Sequence, residues 1–284
     1  MPAWPEPDVL ALVARALEED IGEGDVTTAA CVPAAAQAGG RFLARQDMVV
    51  AGLELLPLIY AREPVSRYAS GSHVPAGEII AAIQGPARLL LERERVALNF
   101  LQRLSGIATL TRRFVEAVAG TGAVILDTRK TMPGLRLLEK RAVAAGGGAN
   151  HRFGLYDAVL IKENHIAAAG GVARAVRAVL AANTGRSVEV EVRNAGELEA
   201  ALAAGARRVL LDNMTPAQVR QAVERARAFT NGTAAPPVLV EVSGGITLAN
   251  VRGYAEAGPD FISVGALTHS APAADISFLL ETVV

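Results

Sequence analysis

The second half of the chain alternates short β-branched runs with alanine-rich stretches, a pattern typical of βα units around a parallel sheet. Six runs have the composition of buried strands: residues 123–128, 157–162, 187–192, 207–212, 238–243 and 260–264. Between them, Thr215-Pro216 suits the start of a helix, and Val219, Val223 and Ala226 recur along one helical face. We therefore predict parallel strands that are covered by helices.

The spacing of these strands, roughly 20 to 35 residues from one start to the next, indicates how the sheet is arranged. No Gly-x-Gly-x-x-Gly follows the first strand, as it would in a dinucleotide-binding sheet. Both features favour an α/β barrel, with an open doubly wound sheet as the alternative.

The chain before residue 120 has a different pattern, which predicts an α+β domain. Its predicted elements are strands at 40–46 and 78–84 and helices at 8–19 and 91–119. The long second helix contains Ser105-Gly106, where we expect a break. The predicted domains are 1–115 and 116–271, with a tail at 272–284 that packs back on the first.

Composition excludes several classes of protein. Of 284 residues, 51% are hydrophobic, and 28 Lys and Arg balance 29 Asp and Glu, which gives no global reason to bind nucleic acid or an anionic membrane. The apolar runs fall short of the roughly 20 residues of a membrane helix, and the N-terminal sequence lacks a signal-peptide pattern. With Cys31 as the single cysteine, no intrachain disulfide forms, so we expect a cytoplasmic protein.

Positively charged residues follow the first two barrel strands. They are Arg129, Lys130, His151, Arg152 and Lys162. Charges at the ends of buried strands are costly unless they meet a partner or a ligand, so this set predicts a pocket for a small polyanion rather than a solvated basic surface. By contrast, Arg136, Lys140 and Arg141 lie on the helix after Pro133-Gly134, and we expect them on an exposed face.

Acidic residues end the next two strands. Glu191 and Asp212 are natural ligands for Mg²⁺ or for sugar hydroxyls, with a pair of satisfied core acids as the alternative. Glu189 lies two positions earlier on the same face, and periodicity does not decide which of the two glutamates reaches a ligand.

Small residues follow the last two strands, where barrels of this kind commonly bind phosphate through backbone N–H groups. They are Ser243, Gly244, Gly245 and Gly265. His73 and His269 are isolated in the sequence and are expected to be structural, and Cys31 is expected to be a buried small residue.

Several long motifs carry a resemblance to a known family. They are residues 18–28, 94–109, 127–143 and 146–166, together with the strings LLDNM, VSGGI and VGALTHS. This set resembles the quinolinate phosphoribosyltransferases over nearly the whole chain. The resemblance implies an N-terminal α+β sandwich, a C-terminal incomplete α/β barrel of six to seven strands, and a dimer or multiples of it.

The resemblance also implies an activity. It is the Mg²⁺-dependent transfer of a 5-phosphoribosyl group from phosphoribosyl pyrophosphate to quinolinate, with decarboxylation to nicotinate mononucleotide, in NAD biosynthesis. Arg129, Lys130, His151, Arg152 and Lys162 would bind the carboxylates and pyrophosphate. Glu191 and Asp212 would hold ribose and metal, with Lys130 and Lys162 as their catalytic partners, and Ser243, Gly244, Gly245 and Gly265 would bind phosphate. Arg95 would reach into the neighbouring subunit's site.

Two departures from the family pattern, Met132 and Ala149, concern only the shape of the acid pocket. Three alternatives stay open. The first is a paralogous phosphoribosyltransferase with another acceptor, although Asn150-His151-Arg152 favours quinolinate. The second is a Schiff-base aldolase that uses Lys162, and the third is a catalytically silent phosphosugar-binding barrel.

Overall fold

The computed structural model describes residues 5–229 and 236–282. Its strands are β1 (Gln37–Ala44), β2 (Met48–Val49), β3 (His73–Val74), β4 (Ile79–Pro86), β5 (Val124–Leu126), β6 (Val159–Ile161), β7 (Val188–Val192), β8 (Arg208–Asp212), β9 (Leu239–Ser243), β10 (Phe261–Ser263) and β11 (Ile276–Thr282). Its helices are α1 (Pro7–Ile21), α2 (Val26–Cys31), α3 (Leu56–Tyr60), α4 (Ala87–Ala117), α5 (Arg136–Ala145), α6 (Glu163–Ala169), α7 (Val172–Ala182), α8 (Ala195–Ala203), α9 (Pro216–Ala228), α10 (Val251–Ala255) and α11 (Ala266–His269), with a 3₁₀ turn at Leu53–Leu55.

The chain forms two units. The first comprises the residues up to Arg112, Met132–Gly147 and the residues from Ala271 onward, and the second comprises Arg113–Thr131 and Gly148–Ser270. The predicted domains at 1–115 and 116–271 put α5 in the barrel, whereas here it groups with the first unit. Within that unit, Glu139 of α5 is fully buried and accepts hydrogen bonds from Arg103 of α4 at 2.7 and 3.0 Å.

The first unit contains an antiparallel sheet in the order β11-β1-β4. Phe42 of β1 lies opposite Phe278 of β11, with ring centroids 4.9 Å apart, and packs on Tyr60 of α3. Val9 and Val13 of α1 are buried.

The predicted break in the long helix is wrong, because α4 runs without interruption through Ser105-Gly106. Ser105 is buried and its hydroxyl accepts a hydrogen bond from the Ala51 N–H at 3.0 Å. A Cβ at Gly106 would overlap the carbonyl oxygen of Pro272. The small residues therefore permit close packing on the helix rather than ending it.

The second unit confirms the parallel α/β architecture with its six predicted strands. Their order, β5-β10-β9-β8-β7-β6, makes the first strand a neighbour of the last and leaves β5 and β6 at the two edges. This is the strand order of a barrel that stays open between its first two strands. The segment around Ala149 lies along β5 at this gap, bridged to Leu126.

The helix that begins after Thr215 follows its sequence signals. The Thr215 hydroxyl and the Gln218 side chain form a reciprocal capping box, and Pro216 occupies the first turn. Val219, Val223 and Ala226 are buried, which confirms the predicted apolar face.

Two expectations about exposure are wrong. Lys140 is 2% exposed, since α5 packs within the first unit instead of presenting a solvated face. Cys31, at the end of α2, is exposed rather than buried.

Among the described residues, no single helix combines the length and apolar composition that crossing a membrane requires. Helices α6 and α7 have the required length and apolar composition only when they are taken together, and the two helices are bent by 91° relative to each other.

Candidate active site

A cavity of about 460 Å³ opens at the carboxyl ends of the parallel strands in the second unit. Its lining includes the following predicted site residues: Arg129, Lys130, His151, Arg152, Lys162, Glu191, Asp212, Ser243, Gly244, Gly245 and Gly265. Strand polarity explains this assembly, because parallel strands deliver their C-terminal residues to one edge.

Arg95 is the predicted site residue that does not line this cavity. It is an exposed residue of α4 in the first unit. Its expected role at a neighbouring subunit's site stays a prediction.

The cationic side of the cavity contains two guanidinium groups that repel each other. Burial, together with the positive charge of Arg129, lowers the pKa of Arg152. The Arg152 Nη1 donates to the Ala158 carbonyl oxygen at 3.2 Å, and its buried Nε has no hydrogen-bond partner in the described structure. An anion placed between the two groups would relieve this repulsion.

A fully buried aspartate holds the loop that carries His151 and Arg152. Asp127, just after β5, accepts hydrogen bonds from the His151 N–H at 2.9 Å and from the Asn150 side chain at 2.6 Å. Asp157 closes the other end of the loop by accepting from the N–H groups of Phe153 and Gly154. The loop is therefore fixed at the open edge of the barrel.

The acidic side of the cavity contains Glu191 and Asp212. The Glu191 carboxylate lies 3.5 Å from Nζ of Lys162, whose side chain is half exposed, and Asp212 accepts a hydrogen bond from the Asn213 side chain at 2.8 Å. Both acids thus have polar partners, and both face the cavity.

The two glutamates of β7, between which periodicity does not decide, have different surroundings. Glu191 lines the cavity, whereas Glu189 lies one layer deeper, is 4% exposed and accepts from His151 at 3.0 Å. Burial tends to raise the pKa of Glu189, but the hydrogen bond from His151 and the charge of Arg208 outweigh burial and lower it.

Glu241 of β9 is a cavity residue that the sequence analysis did not name. It is fully buried, and it accepts hydrogen bonds from Arg208 at 2.5 Å and from the Ser263 hydroxyl. Burial and the neighbouring Glu189 raise the pKa of Glu241 to about 7. A charged residue inside an otherwise apolar strand was the available sequence signal.

The small-residue side of the cavity is formed by the loop after β9. Gly244 and Gly245 both have positive φ, +99° and +60°, and a Cβ at Gly244 would overlap the side-chain oxygen of Asn213. Successive N–H groups in such a turn form a concave donor surface for anions.

His269 also lines the cavity, although its isolation in the sequence suggested a purely structural role. It ends the short helix α11, and its ring and the Lys130 side chain both pack against Gly265. His73 lies on β3 in the first unit.

Comparisons with known proteins agree with this geometry. Residues 25–105 match the model of the quinolinate phosphoribosyl transferase N-terminal domain, and residues 107–279 match that of the C-terminal domain. The chain is 44% identical to a nicotinate-nucleotide pyrophosphorylase (carboxylating) of Mycobacterium leprae, over 93% of this chain and 94% of that protein. It is 41% identical to a decarboxylating quinolinate phosphoribosyltransferase of Nicotiana glauca, over 99% and 85%.

A solved structure gives the same result in three dimensions. The nicotinate-nucleotide pyrophosphorylase of Francisella tularensis superposes with a TM-score of 0.91 at 39% identity, and 98% of each chain is covered. Because both domain models match in order and together span most of the sequence, this chain belongs to the quinolinate phosphoribosyltransferase family.

Proposed function

We propose that the cavity at the carboxyl ends of β5 to β10 is where this chain transfers a 5-phosphoribosyl group to quinolinate. The reaction uses phosphoribosyl pyrophosphate as the donor and releases pyrophosphate and carbon dioxide, giving nicotinate mononucleotide. The observation that carries the assignment to this cavity is its division into a guanidinium-rich side and a side with carboxylates and a glycine turn.

The guanidinium-rich side suits a pyridine dicarboxylate. Arg129 and Arg152 each offer a planar fork of donors, and their mutual repulsion favours a ligand with two negative charges over a neutral one. Lys130 and Lys162 add point charges that can bind the departing pyrophosphate.

The glycine turn suits the 5-phosphate of the donor. The N–H groups of Gly244 and Gly245 would bind its oxygens, together with the Ser243 hydroxyl and the backbone at Gly265. Glu191 and Asp212 lie between the turn and the cationic side in strand order, where they could accept hydrogen bonds from ribose hydroxyls.

The donor set also fits Mg²⁺. Magnesium commonly binds one or two protein carboxylates together with substrate phosphates, and Glu191 and Asp212 supply hard oxygen ligands in the same cavity. Bound there, the ion would neutralise charge on the pyrophosphate. An Asp212→Asn variant should then need a higher Mg²⁺ concentration for half-maximal rate.

Catalysis in this arrangement needs no nucleophilic side chain. The arginines hold the ring nitrogen in line with the bond to pyrophosphate, which supplies an orientation advantage. Lys130 and Lys162 stabilise the negative charge that develops on the leaving group, and Glu191 and Asp212 face the ribosyl centre as it becomes positive. Once the ring nitrogen is quaternary, the bond between the adjacent ring carbon and its carboxylate breaks, carbon dioxide leaves, and the electron pair that stays on the ring carbon takes up a proton from water.

A Schiff-base role for Lys162 is disfavoured by its surroundings. Its side chain is half exposed and lies 3.5 Å from the Glu191 carboxylate. Schiff-base lysines are instead desolvated or placed beside another cation.

The activity test is direct. Purified protein is incubated with quinolinate, phosphoribosyl pyrophosphate and Mg²⁺, and mass spectrometry detects nicotinate mononucleotide, with nicotinate in place of quinolinate as the control. Formation of nicotinate mononucleotide with quinolinate but not with nicotinate supports the proposal. Absence of product, with phosphoribosyl pyrophosphate still bound, would favour the paralogous transferase with another acceptor.

We further propose a homodimer, or multiples of it, in which Arg95 completes the neighbouring site, and a cytoplasmic location. Mixing Arg95→Ala with Arg152→Ala subunits tests the first point, since each mixed dimer would regain one complete site and the mixture about a quarter of wild-type activity. No regain would contradict it. Fluorescence microscopy of a tagged chain tests the location.

A further inference from the structure

Beneath the cavity, two buried glutamates, an arginine and a histidine form a network that the assigned reaction does not use. Arg208 of β8 lies between two glutamates, donating from Nε to Glu189 at 3.0 Å and from Nη2 to Glu241 at 2.5 Å. His151 approaches the same pair, with Nε2 3.0 Å from the Glu189 carboxylate and 3.4 Å from that of Glu241. The network therefore links three strands to the loop that carries His151.

The hydrogen bonds determine which nitrogen of His151 carries the proton. The Arg152 N–H donates to Nδ1 at 2.7 Å, so Nδ1 must be the acceptor. Nε2 lies 3.0 Å from the Glu189 carboxylate, whose oxygens only accept, so Nε2 must be the donor. Both ring nitrogens are directed at the protein, and neither presents an N–H to a ligand carboxylate.

The network also separates two spaces. Glu241 lines the cavity described above, whereas Glu189 and Arg208 line a second cavity, of about 380 Å³, near the amino ends of the strands. His151 and Arg152 line both. The network therefore lies directly beneath Arg152, the arginine that would face the acceptor.

We propose that Glu189, Glu241 and Arg208 are positioning residues: they fix His151 as the Nε2–H tautomer, and His151 in turn fixes the main chain of Arg152 toward the acceptor. His151 then acts on quinolinate through Arg152 rather than as a direct ligand, unlike the role that the family resemblance suggested.

The same three ligand atoms of His151, Glu189 and Glu241 lie close enough to hold a metal ion. The surroundings argue against that use, because the Arg208 guanidinium contacts both carboxylates and the Ser263 hydroxyl donates to Glu241. A cation would have to displace an internal positive charge.

The tautomer can be measured without any variant of the network. The chain has four histidines, so ¹⁵N-histidine labelling gives four ring spin systems, assigned by His73→Gln, His165→Gln and His269→Gln. We expect a pyridine-like Nδ1 and a pyrrole-like Nε2 for His151. A pyrrole-like Nδ1 would overturn the proposal.

Kinetics test the positioning role, and this arm rests on the proposed function. For Glu189→Gln and Arg208→Lys we expect the KM for quinolinate to rise about 10- to 100-fold, with the KM for phosphoribosyl pyrophosphate and kcat changing less than about threefold. Glu199→Gln, which removes the exposed partner of Arg225, is the matched control and should leave all three constants unchanged.

Two further variants keep the proposal falsifiable if the network variants fold poorly. His151→Asn retains an acceptor near the Nδ1 position, and His151→Gln retains a donor near the Nε2 position, so His151→Asn should hold Arg152 better and lose less affinity for quinolinate. If either variant loses as much affinity for phosphoribosyl pyrophosphate as for quinolinate, the proposal is overturned. A protein that shows the expected tautomer but no activity with quinolinate would contradict the function instead.

Discussion

Replacing Arg152 by alanine is the most direct perturbation of the cationic side of the cavity. The guanidinium is half-buried, one nitrogen donates to the Ala158 carbonyl oxygen, and burial together with the charge of Arg129 lowers its pKa. In the complex, a substrate carboxylate would compensate both the burial and the repulsion. In Arg152→Ala that carboxylate loses its partner in a site that is partly shielded from water.

The magnitude follows from two opposing effects. Truncating one partner of a buried charged hydrogen bond costs about 2 to 5 kcal/mol. The truncation also relieves the repulsion on Arg129, which stays in the cavity to meet the same ligand. We therefore expect a loss of about 3 kcal/mol in transition-state binding, or roughly two decades in kcat/KM for quinolinate.

The assay is the initial rate of nicotinate mononucleotide formation at subsaturating quinolinate and saturating phosphoribosyl pyrophosphate. Arg152→Lys, which keeps the charge but not the fork, should fall between wild type and Arg152→Ala. Arg225→Ala, which removes an exposed arginine paired with Glu199, serves as the control. A loss below tenfold in a folded Arg152→Ala variant would refute the assignment of Arg152 to the acceptor.

Three other predictions concern stability, the donor and pH. Arg103→Met leaves the fully buried Glu139 without its 2.7 Å partner and should lower the free energy of unfolding by about 3 to 5 kcal/mol. Chemical denaturation measures this loss, and replacing an exposed arginine should cost less than about 0.5 kcal/mol. A loss well below about 3 kcal/mol would contradict the importance of this ion pair. Gly244→Ala introduces a Cβ at φ +99° and should raise the KM for phosphoribosyl pyrophosphate about tenfold or more while leaving that for quinolinate nearly unchanged, in steady-state kinetics with each substrate varied. Burial and Glu189 raise the pKa of Glu241 to about 7, so its carboxyl is neutral below pH 7 and negatively charged above pH 7. The added negative charge beneath the cavity repels the dianionic acceptor, so kcat/KM for quinolinate should fall as the pH rises through 7. A pH profile measures this fall, and an unchanged profile in Glu241→Gln would show that another group causes it.

The site residues at strand ends could be predicted because their location depends on one rule. Asp212 and Ser243 end buried strands, and the carboxyl ends of parallel strands meet at one edge. Fold class followed from the alternation of strand and helix patterns, and the six strands lie where the pattern puts them.

What the sequence could not supply depends on which strands become neighbours. Arg208 contacts both Glu189 and Glu241 because β8 lies between β7 and β9 in the sheet. The sequence does not give this strand order. Likewise, α5 looks like a solvated helix by composition, and only packing in the first unit shows that Lys140 is buried.

Local signals failed where one residue type serves two purposes. Ser105-Gly106 is typical of a helix break, but α4 is continuous there, and the absence of a Cβ at Gly106 allows the Pro272 carbonyl group to pack against the helix. His269 gave no spacing signal, because a single histidine after a strand is common whether or not it faces a ligand.

The opening between β5 and β6 has a consequence for how this site can change over evolutionary time. The segment from Ala149 to Arg152 lies in that opening, where it is anchored by the Asp127 carboxylate, by a single bridge to Leu126 and by the side-chain contacts of His151 and Arg152. Since it belongs to no strand ladder, lengthening or shortening it shifts no register elsewhere in the sheet. A change in the length of this segment therefore leaves the strand pairing and the phosphate-binding side intact, so new acceptor specificities require changes only in the segment and in the β7 and β9 side chains that contact His151.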